Sequence, residues 1–197
     1  MYLITHSLLS AWLYMQKNEY SEDPMAEFLT VLKREPTPTT DAMQNGIEFE
    51  NLVTSILEEE TEKDESIWYG AARQIADICR GGSLQHKASK RISVNGMDLL
   101  LYGRLDCLKQ GEIIDIKFSK RYDRGKYISS TQHPVYMELI PEAEQFTYAV
   151  SNGSEVWTES YRRDETASIY PVIGDFLNWL CDMQLDEIYK QKWVSKY

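Results

Sequence analysis

Cysteine, histidine and positive charge are scarce in this 197-residue chain. Its three cysteines, Cys79, Cys107 and Cys181, stand singly, which gives neither a disulfide framework nor a zinc spacing and suits a reducing compartment. His6, His86 and His133 show no ligand spacing, and no Ser/His/Asp or Cys/His set can be assembled from the sequence. A phosphate-cradling glycine loop of the Walker type is also missing. No apolar run reaches the roughly 20 residues of a bilayer-spanning helix. The start, Met1 to His6, lacks the basic and apolar regions of a signal peptide, so a soluble, cytoplasmic protein with no membrane partner is expected. Lysine and arginine number 21 against 31 acidic residues, a net charge of −10 that argues against a general nucleic-acid binder.

What is present is an ordinary core-forming composition, 43% hydrophobic and 12% aromatic, enough for one domain over residues 1–197. The pattern predicts a helical N-terminal part over 1–79, a sheet core over 83–162 and C-terminal helices over 166–193. Ser7 is expected to cap a first helix, and Met25 to Lys33 reads as a second. Glu35 to Thr40 is a proline-broken loop, after which Asp41 or Asn45 starts a helix that reaches Glu60. That helix carries Phe49, Leu52, Val53, Ile56 and Leu57 as an apolar stripe. Leu84 to Val94 and Met97 to Leu108 form a hairpin across Asn95-Gly96, Glu112 to Phe118 adds a third strand, and Gln132 to Leu139 is a helix. Two more strands, Glu144 to Val150 and Glu155 to Arg162, precede the closing helices. The fold class is therefore α/β, a mixed central sheet flanked by helices.

The chemistry concentrates in Gly103 to Lys117. Asp106 and Asp115 lie nine residues apart on two strands joined through Lys109-Gln110-Gly111, so they can face each other across the pair. Asp115 and Lys117 project from one face of their strand, while Ile114 and Ile116 project from the other, leaving a charged face backed by an apolar one. Two adjacent carboxylates repel unless a cation separates them, and a hydrated divalent ion of the magnesium type does this with one or two carboxylates plus water. Lys117 is then placed to act on whatever that ion activates.

Asp106, the nine-residue step and Asp115-Ile116-Lys117 resemble the core of the PD-(D/E)xK nuclease superfamily, with Leu105 in the place of its proline. Two flanking features are similar to RecB-like and lambda-exonuclease-like members. Glu50 lies four residues after Gly46 on the amphipathic helix, and Gln132-His133-Pro134-Val135-Tyr136 matches a Gln-x-x-x-Tyr element downstream. The resemblance covers roughly residues 46 to 136. It implies a restriction-endonuclease-like core and a metal-dependent nuclease acting on DNA, or RNA, as an exonuclease of the recombination, repair or phage type. It further implies Glu50, Asp106, Asp115 and the carbonyl of Ile116 as ligands of Mg²⁺ or Mn²⁺, Lys117 as the transition-state cation, and Gln132 and Tyr136 as substrate-positioning residues. Three cysteines fall short of the four that an iron–sulfur cluster, as in some CRISPR-associated relatives, takes.

Charge is unevenly spread. Glu48 to Ser66 has eight acidic residues against Lys63, whereas Lys117 to Lys126 has five cations against Asp123. Lys120, Arg121 and Arg124 are therefore expected to hold the substrate backbone. The acidic net charge and Leu105 motivate an alternative, a catalytically inactive nuclease-fold module that binds nucleic acid or a protein partner.

Overall fold

The computed structural model describes residues 1–17, 21–58 and 66–195. The chain opens with a short strand, β1 (Tyr2–Ile4), and passes into α1 (His6–Lys17). The cap of α1 is Thr5 and not Ser7: Leu8 N–H donates to Thr5 Oγ1 at 3.2 Å. Helix α2 (Pro24–Leu32) starts on Asp23, whose carboxylate accepts from Ala26 N–H, with proline in the first turn where a missing N–H costs nothing. Thr40 caps α3 (Asp41–Leu57) through Met43 N–H. The helix ends at Leu57 with Glu58 as its cap, short of the expected Glu60, and Glu59 to Glu65, most of the acidic run, lie outside the described residues. Helix α4 (Tyr69–Cys79) leads into the sheet.

The strands are β2 (Ser83–Val94), β3 (Met97–Lys109), β4 (Glu112–Phe118), β5 (Gln145–Ser151) and β6 (Val156–Arg162), with α5 (Gln132–Leu139) between β4 and β5. A single 3₁₀ turn, then α6 (Tyr170–Asp182) and α7 (Asp186–Lys192), close the chain. Both hairpin turns, Asn95-Gly96 and Gln110-Gly111, have the positive φ at both positions that matches the twist of the flanking strands. This is why β2, β3 and β4 form the expected antiparallel meander. Strands β4 and β5 are parallel, joined by α5, and β6 returns antiparallel, so the sheet is mixed.

Helices cover both faces of the sheet and make two cores. On one side Leu99, Leu101, Leu105, Ile113, Phe146 and Tyr148 pack under α1, α2, α5, α6 and α7. On the other, Cys107, Ile114, Ile116 and Ala149 pack under α3 and α4. No described helix is long and apolar enough to cross a membrane.

The short strand β1 creates the feature that matters for function. It runs parallel to Leu99–Leu101 of β3, while β4 pairs only with Cys107–Lys109, and β2 pairs along nearly the whole of β3. Because a strand has two edges, β1 and β4 share the edge that β2 does not use. The sheet therefore forks along Tyr102 to Asp106. Gly103 lies within the fork, where a side chain would collide with the Tyr136 ring, its Cβ falling 2.5 Å from a ring carbon.

Candidate metal centre

Continuing the β3–β4 register by one step beyond Cys107↔Ile114 sets Asp106 opposite Asp115. The backbone ladder stops there, and the side chain takes over: Ile116 N–H donates to Asp106 Oδ2 at 2.8 Å. On the other side of β3 the residue facing Asp106 is Gln85, held at φ +51°, a conformation that strains a non-glycine residue by about 1 kcal/mol or more. Its reward is visible in the same place, because Gln85 Nε2 donates to Glu50 Oε1 at 2.7 Å. Glu50 is thus tied to the hairpin from α3.

Asp115 is 2% exposed, so the charged face expected of β4 is not a solvent face. It is roofed by α5 and by the start of α1. Gln132 donates from Nε2 to Asp115 Oδ1, and Lys117 Nζ stands 2.7 Å from Oδ2. This ion pair is the contact that Oδ2 makes among the described residues.

The N-terminus of α1 reaches this site because Thr131, just before α5, donates to the carbonyl of His6 at 3.1 Å and bonds Ser10 at 2.7 Å. Thr5, His6 and Ser7 thereby join Glu50, Tyr102, Arg104, Asp106, Asp115, Lys117, Gln132 and Tyr136 around a cleft of about 330 Å³. No sequence spacing pointed to His6, since, apart from Thr5 and Ser7, its neighbours in the cleft are scattered from Glu50 to Tyr136 along the chain. Burial pushes its imidazole down to about 4, against the pull of Asp115, so the ring is neutral at pH 7. It packs edge-on against Tyr136, whose hydroxyl donates to the carbonyl of Arg104 at 3.0 Å.

Of the residues expected to form the site, Glu50, Asp106, Asp115, Ile116, Lys117, Gln132 and Tyr136 all line this cleft. Glu48 does not; it is exposed and accepts from Gln44 one turn back on α3. Lys120, Arg121 and Arg124 sit on an exposed loop and none lines the cleft. That loop is anchored by a residue the sequence did not reveal, Glu159 of β6. Its carboxylate, 8% exposed, accepts from the hydroxyls of Tyr122 and Tyr161 and from the N–H groups of Gly125 and Tyr127. Burial would raise its pKa, but these four donors outweigh it and hold it below the ordinary carboxylate range.

The electrostatics report a shortage of positive charge. Burial, then the charges of Asp115 and Glu50, push Asp106 up to about 8, despite the Ile116 N–H and Lys117. For Lys117 burial alone would lower the value, yet Asp115 and then Asp106 raise it, so it stays an ammonium. Among the described residues no three acidic, histidine or cysteine side chains are gathered into a metal-holding group. What the cleft offers a cation is Asp106, Asp115, whose Oδ2 already draws the Lys117 ammonium, and the adjacent Ile116 carbonyl. Two carboxylates and a carbonyl, completed by water or substrate oxygens, fit a hydrated magnesium-type ion.

Two expected outcomes follow from this arrangement. The folded chain holds a proton on Asp106 that the unfolded chain releases, so the associated stability is full below the ordinary carboxylate range and is lost as pH rises to about 8. Melting of the metal-free protein in chelator should therefore show a decline over this window that Asp106→Asn flattens. Glu50→Gln should weaken Mn²⁺ binding by about tenfold or more, in the range of residues that support a metal ligand, and Glu48→Gln should leave it unchanged. Calorimetric titration of the two variants checks this, and the opposite ranking would mean that α3 is turned the other way.

No family model matches the chain, and no curated protein matches it in sequence. Its fold does have a solved counterpart. The crystal structure of SSO0001 is similar with a TM-score of 0.53 and 16% identity, covering 94% of this chain and 77% of that one. A likeness at that identity concerns the fold, which is α/β with a mixed six-stranded sheet between helices.

Proposed function

We propose that this chain is a metal-dependent nuclease of the PD-(D/E)xK type that hydrolyses phosphodiester bonds in DNA. One observation carries the reading: Asp106 and Asp115 face each other in a cleft, with the Lys117 ammonium 2.7 Å from the buried Oδ2 of Asp115. Asp106, Asp115 and the Ile116 carbonyl would hold Mg²⁺ or Mn²⁺, and Gln132 would keep Asp115 turned toward it. The ion supplies Lewis acidity toward a phosphoryl oxygen and makes a bound water more acidic. Lys117, held as an ammonium by the two aspartates, would meet negative charge as it builds on the phosphate. Tyr136 and the neutral His6 shape the wall against which a strand would lie. Glu50, fixed by Gln85, would add negative charge beside Asp106.

The test is a labelled linear DNA strand incubated with Mg²⁺ or Mn²⁺. Loss of the strand that stops with chelator supports the reading, and comparison with circular DNA separates attack from ends from internal cutting. A second reading is favoured by Lys117 itself, which already sits as a cation against the Asp115 oxygen offered to metal. In that case the chain is a binding module that retards DNA and leaves it intact with either ion present.

A further inference from the structure

The two faces of the β2–β3 hairpin are unlike. Leu99, Leu101 and Leu105 point into the larger core, whereas Leu100, Tyr102 and Arg104 point the other way, beside their cross-strand partners Arg91, Ser89 and Lys87. These residues belong to neither core. Lys87, Ser89, Arg91 and Arg104 are exposed, and among the described residues none of the three cations has an ion-pair partner. Asp98 is the carboxylate of this face, at the far end of the hairpin opposite Ser93.

A groove of about 460 Å³ runs along this surface, lined by Leu3, Leu100, Tyr102 and Val194 with Arg34, Lys87 and Ser89. The Arg34 guanidinium is set over the Trp193 ring, 4.2 Å from its centroid. Tyr102 lines both this groove and the cleft of the aspartates, and Arg104 lines the cleft from the same strand face, so the two depressions adjoin.

We infer that this groove is the track of a single nucleic-acid strand on its way to the cleft. The inference takes the cleft as the place of cleavage from the function proposed above. The chemistry selects the occupant. Unpaired cations match a phosphate backbone, and an apolar, aromatic lining matches bases whose faces are open. A duplex hides its base faces and would leave the lining unused, while an acidic peptide would leave Tyr102 and Leu100 without partners. The loop of Lys120, Arg121 and Arg124, by contrast, is basic but lines neither depression.

The experiment is anisotropy of a fluorescent oligo(dT) strand and of a duplex of equal length, in chelator so that binding is read without cleavage. The variant is Lys87→Glu with Ser89→Glu, two exposed positions on an edge strand where folding is not at stake; an unchanged melting temperature verifies this. Single-strand affinity should fall by about tenfold or more at low salt, with a shallower salt dependence, and duplex affinity should change less. A charge-removing variant of Lys120, Arg121 and Arg124 should cost less than the groove variant. Unchanged single-strand affinity, equal losses on strand and duplex, or no binding of either by the wild type would overturn the inference. Hydrolysis of bis(p-nitrophenyl) phosphate by the wild type with Mn²⁺ tests the cleft alone. If that fails while the groove variant still loses the strand, the nuclease reading falls and the groove stands.

Discussion

Asp106→Asn and Asp115→Asn should each reduce metal-dependent cleavage to background, yet they should change stability in opposite ways. At Asp106 an asparagine oxygen can still accept from Ile116 N–H, and the change removes a carboxyl that its neighbours already hold protonated to about pH 8. The metal-free variant should therefore match the wild type at acidic pH, pull ahead of it as pH rises through the ordinary carboxylate range, and be more stable at neutral pH and above. At Asp115 the same change strips Lys117 of its counter-charge. Breaking a fully buried pair costs about 3–5 kcal/mol. Lys117 keeps 32% of its side chain exposed, so about 1–3 kcal/mol is expected here. Urea denaturation in chelator measures this difference, and calorimetric titration with Mn²⁺ measures the shared loss of affinity. If both variants bind Mn²⁺ like the wild type, the two aspartates are not its ligands.

The hairpins were legible because their signals are local. Asn95-Gly96 and Gln110-Gly111 announce turns, and the alternation of Ile113, Asp115 and Lys117 against Ile114 and Ile116 fixes which side chains share a face. From those two facts the meeting of Asp106 with Asp115 follows. Nothing local announces β1. Three residues pairing in parallel with a strand nearly a hundred positions later form no pattern of their own, so the fork in the sheet and the approach of Thr5, His6 and Ser7 stay hidden. The same holds for Gln85, whose positive φ falls opposite Asp106, and for Glu159, three of whose four donors come from a loop more than thirty residues upstream. Gln132 shows the intermediate case. Its spacing to Tyr136 put both on one helix face, but only the packed structure turns Gln132 onto Asp115 and Tyr136 onto the Arg104 carbonyl. A helix face is local, and its docking partner is not.

Lys117→Ala should separate chemistry from binding more sharply than any other change. Its ammonium stands 2.7 Å from Asp115 Oδ2, the oxygen that an incoming cation would take. A metal and the lysine would therefore compete for the same oxygen. Under the proposed function, a bound metal would take Asp115 from Lys117, whose charge would then be left to meet negative charge building on a phosphate. Removing it relieves the competition, so Mn²⁺ affinity should be kept or raised. Turnover, in contrast, should fall by about 10²–10³, the scale of losing one preorganised donor to a transition-state charge. DNA affinity in chelator should change little, because one cation among several contributes only one step to the salt slope. Lys117→Met, which keeps the length of the side chain, should show the same split and excludes a packing explanation. Calorimetry for the metal, anisotropy for DNA and single-turnover cleavage for the rate measure the three quantities independently. A loss of metal affinity would show that Lys117 supports the site rather than competing for it. An equal loss of DNA affinity and rate would make it an ordinary phosphate contact.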